Sequence, residues 1–327
     1  FFWAELLWPG GSVPLNLALA ITLYGLVTWI GMVLYGRETW LQNGDPFSVM
    51  FGVFARFAPL EVRVRSRASG WHCRGHLCRY QSGDCVNGYV CVSHARVDQI
   101  EWNLRPPAVG LLQDRRVPVS MMVFVLVLLA SVTFGGFLET PIWIQILDRT
   151  LGDEIFLVGN VALVLFPMLF CLVYVLFCWL TLHSAALTGG HANEWSVQST
   201  VEVACTFILT LVPIAIAYHL AHYLSFLLIT GQYLVPLISD PLGLGWDLFG
   251  TAKYRVDIEL LSARVAWYTA VLSVVCGHVF AVYIAHVAAR RAFGNARTAL
   301  WSQIPMIALM VLYTMLSLWI LAQPMVG

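Results

Sequence analysis

The chain has 327 residues, 59% of them hydrophobic and only 11% charged. Soluble domains carry about 25% charged residues, so a soluble globular enzyme is excluded. The 18 basic and 18 acidic residues cancel, which gives no electrostatic reason to expect nucleic acid as a partner.

A membrane span needs about 20 mostly apolar residues. The first such stretch is Pro14–Tyr35. The chain starts at Phe1-Phe2-Trp3 without a Met, which implies a processed or missing upstream piece. A polar insert follows, Gly36–Val117, and it opens with Pro46–Pro59. That segment is apolar but too short to span, so it reads as an interfacial helix.

Inside the insert, Cys73, Cys78, Cys85 and Cys91 fall within 19 residues, with His72, His76 and His94 beside them. Structural zinc takes four Cys or His ligands from short loops, and this loop offers up to seven. Iron–sulfur ligation also needs four thiolates. Two disulfides are a third arrangement, disfavoured in a reducing cytosol. A set of unbridged thiols is the fourth. A metal here would act structurally, because a polar insert has little core and ligation contributes folding energy directly.

Five more spans follow: Pro118–Phe137, Ile155–Leu182, Val201–Pro236, Ala263–Ala289 and Gln303–Ala322. The fourth span overall, Val201–Pro236, exceeds one crossing, so a tilt or a break near Gly231 is expected. Pro167 and Pro213 should kink their helices. Cys171, Cys178, Cys205 and Cys276 are single residues in apolar surroundings and read as packing groups.

Ionisable residues inside spans default to functional hypotheses. His219 and His222 are three apart and share one helix face. His222 lies 14 residues before Pro236, and His278 lies 15 residues after Ala263. Both are then about 21–23 Å below the same boundary at ~1.5 Å per residue. Matched depth on consecutive antiparallel spans suits a shared metal ion or a haem b, with His219, His222 and His278 as ligands. The competing reading is that each imidazole bonds a carbonyl or hydroxyl across helices. His183 and His286 sit near span ends, and His191 is in a polar loop without an assigned role. The loop 237–262 carries Asp240, Asp247 and Asp257 among Gly and Pro. These residue types build turns, and the carboxylates could also ligate a divalent cation.

Arginine distribution orients the chain. Eleven of the 17 Arg lie in the insert, and Arg290, Arg291 and Arg297 lie in the loop between the last two spans. The positive-inside rule makes that side cytoplasmic. The expected organisation is residues 1–36 as a first span, 37–117 as the cytoplasmic insert and 118–327 as a five-span bundle. The fold class is an all-α integral membrane protein with about six spans.

Several segments resemble a known family. They are the run His222–Gln232, Ser239–Thr251 with Arg255 and Asp257, and Gly277-His278 with His286. Gly44–Gly52, with Arg56 and Pro59, and Leu104–Pro107 belong with them, as does Tyr313. Together they look like bacterial polytopic membrane proteins known as fenitrothion hydrolases. The resemblance implies a bacterial membrane location and hydrolysis of an organophosphate triester, which would call for a metal-activated water.

Three functions compete. The first is a subunit of a larger redox complex in the bacterial inner membrane, holding a metal or haem through the span histidines. Its partners would be the bilayer and other membrane subunits. The second is a membrane-embedded metal-dependent hydrolase using the Asp loop. The third is a transporter; the absence of visible repeats and the scarcity of acidic residues in the spans weigh against it.

Overall fold

A computed structural model of the chain describes residues 2–11, 13–64, 79–81, 84–86, 89–112, 117–150, 154–187, 199–293 and 295–323. In chain order the elements are α1 (Phe2–Leu6), α2 (Pro14–Tyr35), α3 (Arg37–Asn43), α4 (Pro46–Phe54), β1 (Leu60–Val64), β2 (Arg79–Gln81), β3 (Asp84–Val86), α5 (Tyr89–His94) and β4 (Ile100–Leu104). Then come α6 (Val119–Leu138), α7 (Pro141–Asp148), α8 (Glu154–Leu187), α9 (Thr200–Phe207), α10 (Val212–Ile229), α11 (Leu234–Ser239), α12 (Ala263–Phe293) and α13 (Ala296–Leu321).

Six helical stretches are long and apolar enough to cross a membrane: α2, α6, α8, the composite Thr200–Ser239, α12 and α13. The protein is an all-α multi-pass membrane protein. In hydrocarbon only a helix or a closed barrel satisfies its own backbone, and these sequences carry the apolar length that a helix needs.

Helix ends follow local chemistry. Ser199 and Glu202 form a reciprocal capping box at the start of α9. Pro213 has no N–H to give, and the chain ahead of it tightens into a 3-10 turn over Ile208–Leu211. The expected kink there is thus a change of helix type. A second 3-10 turn, Thr230–Tyr233, breaks the long fourth span at Gly231. Pro167 stays inside α8 without ending it.

The spans α6, α8, α10, α12 and α13 pack as a bundle, with α6 and α10 in its middle. Phe134, Phe207, Ile208, Ile214, Ile284 and Met306 are fully buried there. Without a hydrophobic drive between helices in lipid, close contact comes from small residues. Gly277 of α12 supplies it: a Cβ on it would sit 2.5 Å from the Ala217 side chain and 2.9 Å from the Pro213 carbonyl oxygen. The room beside His278 is therefore filled by α10.

The first span behaves differently. Of its residues only Gly31 is buried, under the indole of Trp40. Trp40 also stacks on Tyr35 with centroids 6.0 Å apart. The chain thus turns back along α2, and the Tyr24 hydroxyl donates to Asp45. Tyr24 is 10 residues from Pro14, about 15 Å from that end of the span. Asp45 caps α4 by accepting from the Ser48 N–H at 2.9 Å. The helix expected at the interface forms, but its contacts are deeper. Phe54 meets His219 edge-on at 5.5 Å, and Phe57 meets Phe280 at 5.5 Å. Both partners lie mid-helix in the bundle.

The insert also contains a small antiparallel sheet, ordered β2-β3-β1-β4. Its junction with α4 is held by Arg105, which pairs with Glu61 at 2.8 Å. Arg105 also donates to the carbonyls of Ala58 (3.2 Å) and Arg56 (3.1 Å). The pair is buried, and the two extra acceptors satisfy the guanidinium donors that burial would otherwise leave costly.

Candidate functional site: a histidine–tyrosine cluster in the bundle

His278 lies on α12 and is 5% exposed. Its Nδ1 is 2.8 Å from the carbonyl oxygen of Val274, one turn earlier. A nitrogen facing a carbonyl must carry the proton. Nε2 is then a bare lone pair, and it is buried with no hydrogen-bond partner. The ring packs on Tyr313 of α13, centroids 5.6 Å apart. Tyr313 in turn stacks on Tyr218 of α10 at 5.6 Å. The Tyr313 hydroxyl and Thr133 Oγ of α6 are 2.7 Å apart. Thr133 spends its own proton on the Leu129 carbonyl at 2.8 Å, so Tyr313 donates. Four spans therefore meet at one level through polar groups: α6, α10, α12 and α13.

His222 follows Tyr218 by one turn on the same side of α10. It lies beside Gly135 of α6, where a Cβ would be 3.8 Å from its Cε1 and 3.9 Å from its Nε2. Tyr223 meets it edge-on at 4.8 Å. His219 points elsewhere. Ala217 touches α12, and His219 is about 200° further round the helix. His219 instead packs on Phe54, with Nδ1 2.8 Å from the Ala215 carbonyl. The structure brings His278, Tyr313, Tyr218 and Thr133 together, sets His222 one turn away, and places His219 on the α4 side. Among the described residues no three His, Cys, Asp or Glu side chains gather closely enough to hold a metal ion.

Tyr218 and Thr133 were missed as site residues by sequence reasoning. The available signal was that Tyr218 precedes His222 by four residues, one helical turn. Two further histidines, near span ends, have local partners. His183 stacks on Trp179 at 5.6 Å, and His286 Nδ1 is 2.8 Å from Gln303 Oε1. His191 lies outside the described residues.

The Asp loop between α11 and α12 is knitted to itself. Asp240 accepts from the N–H groups of Leu244 and Gly245, both at 2.9 Å. Asp247 accepts from the Ala252 N–H at 2.9 Å and from Ser239 Oγ at 2.8 Å. These bonds hold its carboxyl below the ordinary carboxylate range, the Ala252 N–H first and Ser239 second. Asp257 Oδ1 accepts from the Glu259 N–H. The loop turns on Gly243, Gly245 and Gly250, each at positive φ. The three carboxylates thus serve turn construction.

Cys73, His76 and Cys78 lie outside the described residues. Cys85 is on β3, paired across the sheet with Val64 and Tyr80. Cys91 is half-buried on α5, and burial pushes its thiol up. Cys178 and Cys205 are buried in the apolar core, near the point where the Tyr174 hydroxyl donates to the Ala204 carbonyl at 2.8 Å.

Comparison with protein-family models, curated proteins and solved structures finds no match to this chain. Fold and site together define a class: a multi-pass membrane protein with a histidine–tyrosine cluster inside its helical bundle.

Proposed function

We propose that this chain is a membrane-embedded subunit of a larger bacterial inner-membrane redox complex, and that it holds a metal ion at the His278 cluster. One observation carries the reading: His278 Nε2 is a bare lone pair, buried and unpartnered, with Nδ1 fixed on the Val274 carbonyl. A metal-ligating imidazole commonly donates its other N–H to a backbone carbonyl in this way. The Tyr218 and Tyr313 hydroxyls and His222 are the nearby groups that would complete or flank such a site. The bare ion is favoured over haem because α10 and α12 touch at Gly277, which leaves little room for a porphyrin between them. The first span, with only Gly31 buried, offers nearly its whole surface to lipid or to neighbouring subunits. The zinc reading of Cys73, Cys78, Cys85 and Cys91 is a second, separate metal proposal.

Elemental analysis and an absorption spectrum of the purified protein test the reading. The expected result is a stoichiometric transition metal without a Soret band. His278→Ala should remove one equivalent while His183→Ala should not, and Cys85→Ser should leave that equivalent in place. Metal content unchanged in His278→Ala would sink the assignment. Migration of the solubilised protein as a lone monomer from native membranes would count against complex membership.

A further inference from the structure

The segment between α11 and α12 has a composition at odds with an ordinary aqueous loop. Leu242, Leu244, Trp246, Leu248 and Phe249 are each between 44% and 67% exposed. The loop holds them out on a rigid frame. Ser239 Oγ, itself fully buried, accepts from the N–H groups of Phe249 (3.0 Å) and Thr251 (3.4 Å). Thr251 Oγ donates back to the Val235 carbonyl at 3.1 Å. At the base, Gln232 accepts from the Tyr254 hydroxyl and the Asp257 N–H, and donates to the carbonyls of Leu228 and Asp257. Asp240 and Asp247 cover further N–H groups, as described above.

We infer that this loop is a lipid anchor, seated in the headgroup–acyl boundary at the end of α12 remote from Arg290 and Arg291. Three observations choose lipid as the occupant. First, the exposed apolar side chains continue those of α10 and α11, namely Phe226, Leu227, Leu234, Leu237 and Ile238, so the loop extends a surface already facing the bilayer. Second, many of its N–H groups are met within the protein: those of Leu244, Gly245, Phe249, Thr251, Ala252 and Asp257 by side chains, and those of Gly243, Leu248 and Tyr254 by carbonyls. Irregular backbone can approach hydrocarbon only when its polar groups are satisfied within the protein. Third, Trp246 and Tyr254 carry exposed aromatic rings beside exposed Lys253 and Arg255. Amphipathic rings and cations at one level match the belt found where membrane meets water. The remaining charges of the loop require that it stop at the boundary and not enter the core.

The inference stands apart from the metal proposal and needs only the spans. It is tested in native membranes with p-benzoylphenylalanine placed singly at Phe249, at Leu244 and, as a lipid-facing reference, at Met168 of α8, which is 62% exposed. Each replaced side chain is exposed, so the fold is not at issue. Irradiation should give lipid adducts at all three positions, read by the mass of the protein. A protein–protein adduct from Phe249 or Leu244 would overturn the inference in favour of a docked partner. Loss of adducts at both positions, with Met168 still labelled, would overturn it by placing the loop in water.

Discussion

Gly277 fixes how closely α10 and α12 approach, and it does so by lacking a side chain. Gly277→Ala would drive a methyl into Ala217 and the Pro213 carbonyl. Overpacking of this kind typically costs about 1–3 kcal/mol. The expected outcome is a lower midpoint of thermal unfolding in detergent, with Gly135→Ala milder because its nearest neighbours are 3.5 Å or more away. A second residue-scale prediction concerns acid. The folded-state pKa of Asp247 is depressed. Its contribution is therefore fully present above the ordinary carboxylate value of about 3.9 and fades as pH falls through the lower folded value. Hydrogen exchange at Ala252 should show protection that declines in that acid window. Asp247→Asn should weaken the protection and remove its dependence on pH. A pH-independent Ala252 amide in the parent chain would show that the carboxylate does not hold the turn.

Among elements, the least expected is the hairpin of α2 with α3 and α4. Asp45 ties it together through two separable contacts, the α4 cap and the Tyr24 hydroxyl. Asp45→Ala loses both, and the cap alone is worth about 0.5–2 kcal/mol. Tyr24→Phe loses only the tie to α2. Limited proteolysis between α2 and α4 should accelerate in both variants, more in Asp45→Ala; equal rates would mean the tie alone matters. The spans themselves were legible because each has about 20 apolar residues, and the break near Gly231 was legible because Val201–Pro236 was too long for one crossing. The sheet was not. Leu60–Val64 and Ile100–Leu104 are five residues each, short enough that alternation is a weak signal against helix. The return of α3 along α2 depends on Trp40 meeting Gly31, a tertiary match that no local pattern announces. The histidines show the same division. Spacing put His219 and His222 on one helix face, an expectation the structure does not meet. Which face meets α12 is decided by Gly277 against Ala217, and that contact turns His219 toward Phe54 instead.

At the scale of the whole molecule, orientation follows from where the cations lie. The two ends of the bundle are chemically different. Arg290 and Arg291 close the last turn of α12, and Arg291 Nη1 donates to the Leu112 carbonyl of the insert at 3.3 Å. The insert and that end of α12 are thus on one side by direct contact, as an even number of intervening crossings requires. The Asp loop enters the opposite end of the same helix. The positive-inside rule predicts that the arginine end faces the cytoplasm, where the insert's cysteines would stay reduced. Two single substitutions read this out. Lys253→Cys, at an exposed position of the Asp loop, should react with a membrane-impermeant maleimide on intact cells. Val97→Cys, 88% exposed in the insert, should gain label over the parent chain only after permeabilisation. The parent's own insert cysteines should behave as Val97→Cys does. Labelling of Val97→Cys on intact cells would reverse the orientation, place Cys73, Cys78, Cys85 and Cys91 in an oxidising compartment, and make disulfides the better account of that cluster than zinc.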